Sequence, residues 1–156
     1  MISWQAFTQQ APRFAEAGAR LFDHGGNGIS IGFLATVTAT AKPRLAPVCP
    51  IFFEQGIYLS VGAPTPKRAD LKERGDYVLH TFLGTNDEEF QIAGRARFVN
   101  DQHEHDGVVH AIPFGAYDAD DPIFELLIER ALWVYWENVG RPGSRPIKQR
   151  WSVHPR

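Results

Sequence analysis

The stretch of the chain with the clearest chemical character is Thr65-Pro66-Lys67-Arg68-Ala69-Asp70-Leu71. Thr65 is a good N-cap and Pro66 a good first helical residue, which puts Lys67 and Arg68 in the first turn of a predicted helix. Cations are misplaced there, because the dipole is positive at that end and each costs about 0.3–1 kcal/mol where an acid would gain it. A bound phosphate resolves the misfit: backbone N–H groups, the dipole and two basic side chains then converge on one anion. The other reading is that both side chains extend into water. Local features leave both standing, and the surrounding elements have to decide.

Other groups of reactive residues point less clearly to a site. His103 and His105, with Glu104, Asp106 and His110 nearby, resemble metal-ligand material. On a helix, however, His103 and His105 lie about 200° apart, so one face offers too few ligands. A solvated polar helix is the reading, and no metal site is expected. Asp118, Asp120 and Asp121 lack the Gly and closing Glu of a calcium loop and read as an acidic surface loop. Gly26, Gly28 and Gly32 precede a strand and miss the dinucleotide-binding spacing, while no P-loop or G-x-S-x-G is present. Cys49 lies on an apolar run, as a buried structural thiol would, and His80 alternates with Val78 and Phe82 like a core or interface histidine. No catalytic acid–base pair stands out.

Length and composition bound what these residues can belong to. A chain of 156 residues suits one domain over 1–156, long enough to bury roughly two-thirds of its unfolded surface. Hydrophobic residues make up 44% and charged residues 22%, as in ordinary globular chains. A formal net charge of -2 gives no footprint for nucleic acid and no polybasic membrane patch, so neither partner is expected. The single cysteine allows no intrachain disulfide and fits a reducing compartment. The N-terminus lacks a basic start followed by an apolar run, and the expected location is the cytoplasm.

The elements follow from periodicity and punctuation. Ser3 is a predicted N-cap, and Trp4, Phe7, Ala11, Phe14, Leu21 and Phe22 share a helical face, giving a helical lead-in over about 3–24 that breaks at Pro12. Three β-rich runs follow at 31–40, 44–53 and 57–62, read as an antiparallel meander whose second strand is bulged or at an edge around Pro47 and Pro50. A short helix to about Arg74 and strands at 77–83 and 89–99 come next. A polar helix over 101–111 and β runs at 123–128, 132–137 and 148–153 complete the chain, with 138–146 as an exposed loop. Within 132–137, alternation puts Trp133 and Tyr135 on one face and Trp136 on the other, as core or interface packing. Six to eight strands with few helices point to a closed antiparallel barrel and away from a doubly wound sheet.

The order Pro43-Arg44, then APVCP, then IYLSV, then TPKRADL, then YVLHTF, then FQIAGRARFV is similar to the core of pyridoxamine 5'-phosphate oxidase-like proteins, over about 31–99. The resemblance implies a mainly β fold with α: a six-stranded or larger antiparallel split β-barrel with flanking short helices. It also implies an FMN-binding protein acting as a flavin-dependent oxidoreductase on a small-molecule substrate with an electron donor, and a homodimer with the cofactor at the subunit interface. Similar barrels bind F420 or haem, and others hold flavin without turnover as stress-associated proteins, so those alternatives stay open. Residue by residue, Arg44 matches the arginine opening the second strand, Val48 and Cys49 the strand along the flavin ring, and Ser60 and Val61 the pair near that ring. Lys67 and Arg68, with Thr65 beside them, match the phosphate-binding positions. Gly94-Arg95-Ala96 matches a structural Gly-[Lys/Arg]-Ala run. The family's C-terminal R-L-H-x-R substrate element has no counterpart after Gly140, so the implied substrate is not vitamin B6. The ending Arg150-Trp151 followed by Pro155 only loosely resembles the family's last strand and receives no site role.

Overall fold

A computed structural model describes residues 1–115, 118 and 120–154; Pro155 lies outside them. The helical lead-in divides at Pro12 into α1 (Trp4–Gln10) and α2 (Pro12–Phe22). Ser3 caps α1 by accepting from the Ala6 N–H at 3.3 Å, and Pro12 opens α2 at the position where a missing N–H costs nothing. Together they lay Trp4, Phe7, Leu21 and Phe22 on the sheet. At Gly18 the helix comes so close that an added Cβ would lie 2.6 Å from the Phe90 ring.

The strands are β1 (Gly32–Val37), β2 (Pro43–Val48), β3 (Ile51–Phe53), β4 (Gly56–Ser60), β5 (Asp76–Thr81), β6 (Glu89–Phe98), β7 (Ile123–Glu137) and β8 (Arg145–Ser152). Among them sit α3 (Lys67–Glu73), between β4 and β5, and α4 (Gln102–His110), between β6 and β7. All pairings are antiparallel, in the order β2-β1-β5-β6-β7-β4-β3, with β8 added to β7. The outermost strands of that path, β2 and β3, are joined through Cys49 and Pro50 alone. Three chain steps span at most about 11 Å, so the sheet has to curl until its ends nearly meet. The result is a mixed fold, a curled antiparallel half-barrel flanked by short helices, in agreement with the split barrel that the resemblance implies and in place of the closed barrel expected from the strand count.

Two expectations are corrected. The 44–53 run is two strands: Pro47 sits on edge strand β2, and at Pro50 the chain leaves β1 and crosses to pair with β4. The meander therefore becomes two hairpins at opposite ends of the sheet path. The runs at 123–128 and 132–137 are one strand of 15 residues. Its register against β6 jumps between Ala93↔Arg130 and Gly94↔Ile128, leaving Glu129 as a bulge residue. Gly94 makes the bulge possible, because a Cβ there would stand 2.0 Å from the Leu127 carbonyl oxygen. β7 thus serves two neighbours in turn, β4 along its first half and β8 along its second.

The main core lies inside the curl, where Leu34, Leu79, Ile92 and Leu126 pack with Phe7, Phe22 and Phe90. Trp151 stands edge-on to Phe7 at 4.8 Å between centroids, and Trp133 and Tyr135 pack on one face of β7 with centroids 4.8 Å apart and ring planes inclined by 42°. A smaller core of Ile51, Tyr58, Val99, Val108 and Ile123 lies under α4. Among the described residues no helix is long and apolar enough to cross a membrane.

Candidate functional site

The sequence-predicted site residues lie on and just after β2, at the end of β4, and at the start of α3. Cys49 follows β2 directly, where the chain leaves β1 for β3, and Ser60 ends β4. Val48 and Val61 turn inward and are buried in the main core, so their backbones alone are available to a ligand. The Val61 N–H is already committed to the Pro122 carbonyl at 3.1 Å. Cys49 is a half-buried free thiol, and the half-buried Ser60 hydroxyl has no partner among the described residues.

From Val61 the chain turns through 62–65 into α3. Here the expected cap is corrected. Pro66 already has helical torsions, and the Thr65 hydroxyl donates back to the Gly62 carbonyl at 2.7 Å instead of capping α3. The turn uses that hydroxyl to close itself, with the Thr65 N–H bonded to the same carbonyl at 3.1 Å. The first turn of α3 also holds an acid, Asp70, which offsets part of the misfit that two cations create there.

Lys67 and Arg68 are both half-buried, and neither forms an ion pair or side-chain hydrogen bond with another described residue. Several other arginines contrast with them. Arg20 reaches Glu88 at 2.8 Å, and Arg97 bridges Glu104 at 2.6 Å and Glu125 at 2.7 Å. Arg44, expected beside Lys67 and Arg68, instead donates to Asp70 at 2.7 Å, and that buried carboxylate also accepts from the Thr36 hydroxyl at 2.8 Å. Arg44 thereby ties β2 to α3. It lines a cleft of about 420 Å³ between the β1–β2 turn and α3, together with Lys42, Ala69 and Glu73.

The carboxylates and phenols that carry perturbed titrations are structural. Burial by itself would raise the Glu88 carboxyl, but donors from Arg20 and the Trp133 indole, the latter at 2.8 Å, outweigh it and hold it below its ordinary value. Burial pushes the Tyr58 and Tyr77 phenols well above theirs. Among the described residues no three His, Cys, Asp or Glu side chains gather as a metal-holding group. His105 faces Asp106 and the Asp121 carbonyl, each at 3.3 Å.

A second region went unrecognised in the sequence. The outer face of the sheet carries two continuous cross-strand rows from β2 to β8. One runs Pro47, Phe33, His80, Gln91, Leu132, Arg150, and the other Leu45, Ala35, Val78, Ala93, Arg130, Ser152. The β2–β1–β5 end is apolar and open to solvent, with Leu45 at 67% exposure. The β7–β8 end forms a cleft of about 890 Å³ with Arg130, Arg150 and His154 on its walls. Strict alternation along each strand was the available signal, but the rows appear only once the register is known.

No protein-family model matches the chain, and no curated protein sequence matches it. Solved structures do. A haem-binding protein from Mycobacterium smegmatis aligns at 18% identity and a TM-score of 0.56, over 85% of this chain and 57% of that one; this chain therefore spans little more than half of that protein. A protein from Clostridium acetobutylicum related to general stress protein 26, of the pyridoxinephosphate oxidase family, aligns at 14% identity over 96% of both chains, with a TM-score of 0.56. A pyridoxamine 5'-phosphate oxidase-related, FMN-binding protein from Nostoc punctiforme aligns at 12% identity and a TM-score of 0.59, over 93% of this chain and 96% of that one. Identities this low speak for the fold alone, a split barrel like that of these solved structures.

Proposed function

We propose that this chain binds FMN as a homodimer and acts as a flavin-dependent oxidoreductase on a small-molecule substrate. The observation that carries the reading is the pair Lys67 and Arg68: adjacent, half-buried cations with no acidic partner among the described residues. No acid of the chain itself answers these two charges among the described residues, which leaves both cations available to an anion. A phosphate monoester supplies the missing charge and takes donors of this kind. When bound, the flavin supplies hydride or electron transfer, and the protein supplies binding, orientation and electrostatics. Lys67 and Arg68 hold the phosphate, with Thr65 in the adjoining turn, where its hydroxyl donates to the Gly62 carbonyl. The strand ends at Val48–Cys49 and Ser60–Val61 offer a flat ring backbone contacts and a low-polarity wall.

The apolar rows on the outer face support self-association. A large exposed leucine on an edge strand, flanked by Pro43 and Pro47 and continued by Phe33 and Ala35, is surface that a monomer gains nothing by exposing. A second copy covers it with the same surface, as a two-fold dimer requires. Cys49 as a lone free thiol accords with a cytoplasmic location.

The test is an FMN titration followed by quenching of flavin fluorescence, on the wild type and on the double variant Lys67→Ala/Arg68→Ala. Saturable binding that the double variant loses by about a hundredfold is expected for two charge-assisted contacts. Equal affinity in the two proteins removes the phosphate assignment. The fold likeness to a haem-binding protein favours one second reading, haem in place of flavin. A haem titration that saturates where FMN does not would select it.

A further inference from the structure

We infer that the Asn27–Gly28 peptide is a self-modification site, at which the folded loop between α2 and β1 converts Asn27 to aspartate or isoaspartate through a succinimide. None of the residues assigned to flavin binding takes part.

The chemistry starts from the order of two residues. An asparagine followed by glycine is the pair most open to attack of the backbone nitrogen on the side-chain carbonyl, because glycine has no Cβ to hinder the approach. Asn27 is the one asparagine of the chain in that setting; Asn86, Asn100 and Asn138 precede Asp87, Asp101 and Val139. Asn27 and Gly28 are both exposed, and a Cβ added at Gly28 would meet nothing within 4 Å, so this peptide stands clear of the rest of the chain.

Two hydrogen bonds arrange the peptide as an acyl-transfer site is arranged. The Gly28 N–H donates to the Asp23 Oδ1 at 3.1 Å, which puts a carboxylate in position to take the proton as that nitrogen attacks. The Ile29 N–H donates to the Asn27 Oδ1 at 3.1 Å. This second bond folds the side chain back over the peptide that follows it and places a donor where negative charge develops on the oxygen. The loop is held in this shape from its base: the Ile31 N–H bonds to the Phe22 carbonyl at 2.9 Å, and the Gly26 N–H to the Asp23 carbonyl at 3.2 Å. Gly26 and Gly28 have φ of 63° and 77°, a conformation that glycine adopts without steric cost.

Water is the only further reactant. The Gly28 nitrogen bonds to the Asn27 Cγ and gives its proton to Asp23, while the carbonyl electron pair moves onto Oδ1. As that pair returns, the Cγ–Nδ2 bond breaks and Nδ2 leaves as ammonia with the proton that Asp23 took up. Water then opens the ring at either carbonyl, and Asp23 ends as it began. The product carries a new carboxylate beside Asp23, and the isoaspartyl form also adds a methylene to the backbone that leads into β1.

The competing explanation is that the two bonds only close the loop, and that any conversion follows from the Asn-Gly pair alone. Incubation of the full chain near neutral pH separates the two, with peptide mapping by mass spectrometry to locate each amide lost and enzymatic methylation to count isoaspartate. The wild type is followed both folded and unfolded in urea. Beside it run Asp23→Ser, which keeps an oxygen acceptor and loses the carboxylate, and Asn27→Gln, whose longer side chain disfavours the ring. The Asp23 side chain bonds only within this loop among the described residues, and the comparison of folded with unfolded wild type needs no variant. Expected is conversion at Asn27 about tenfold faster in the folded wild type than in the unfolded chain, and about tenfold slower in folded Asp23→Ser than in the folded wild type. In urea the two proteins should convert at one rate, and Asn27→Gln should give no isoaspartate at this peptide. No conversion at Asn27, a folded rate at or below the unfolded one, a folded rate that Asp23→Ser leaves unchanged or raises, or the same slowing by Asp23→Ser in urea overturns the site.

Discussion

In the packed interior, every buried polar side-chain atom among the described residues has a hydrogen-bond partner, and the buried carboxylates Asp70 and Glu125 each meet an arginine. The outer face differs on both counts. It leaves Leu45 mostly in solvent, and Arg150 without an acidic partner among the described residues. The end of the curl at Lys67 and Arg68 resembles the outer face in this respect, although its residues are half-buried. The contrast teaches where to look for function in a chain without a catalytic motif. Residues that folding requires are satisfied by the chain itself, and those left unsatisfied at a cost mark what the chain has to meet.

The contrast can be broken by substitutions that should be costly inside and cheap outside. Gly94→Val is expected to be the most damaging, because its Cβ would collide with the Leu127 carbonyl, part of the backbone. A loss of about 3 kcal/mol or more in denaturant unfolding is expected, and an unshifted midpoint would mean that the bulge is not built as described. Asp70→Ala leaves Arg44 and the Thr36 hydroxyl without their shared acceptor. It should cost about 2–3 kcal/mol, and a neutral result would detach β2 from α3 in the account.

Glu88→Gln is milder, about 1–2 kcal/mol near neutral pH, and carries a pH signature. The folded carboxyl titrates below its ordinary 4.5, so its stabilisation is complete above that value and fades as the pH falls through the folded pKa. The gap between wild type and variant should close on acidification; a gap that widens contradicts the pairing. Leu45→Asp, on the outer face, should alter the chain's own stability by no more than about 0.5 kcal/mol. It should nevertheless shift the protein from dimer to monomer in sedimentation. A dimer that survives it would move the subunit contact elsewhere.

Much of the fold was legible in the sequence because its signals are local. Ser3, Pro12 and the stripe from Trp4 to Phe22 give the two lead-in helices, and the β-rich runs give five of the strands near their observed places. What was misread depends on partners distant in sequence. Nothing within 44–53 reveals that Ile51 pairs with Tyr58 and not with β1, and the bulge in β7 depends on a glycine in β6. Lys67 and Arg68 were singled out as a candidate phosphate site because they are adjacent in the chain. Arg130 and Arg150 were not, because only the register of β7 against β8 makes them neighbours. Arg44 was expected at the same anion for its position beside the strand, and its bond to Asp70 depends on how α3 is rotated.

The central claim is most directly tested by the visible absorption spectrum of the purified protein after separate incubation with FMN, F420 and haem and removal of unbound ligand. A retained flavin spectrum at one FMN per chain, absent from the Lys67→Ala/Arg68→Ala variant, is the predicted result. A protein that emerges colourless from all three incubations would contradict it.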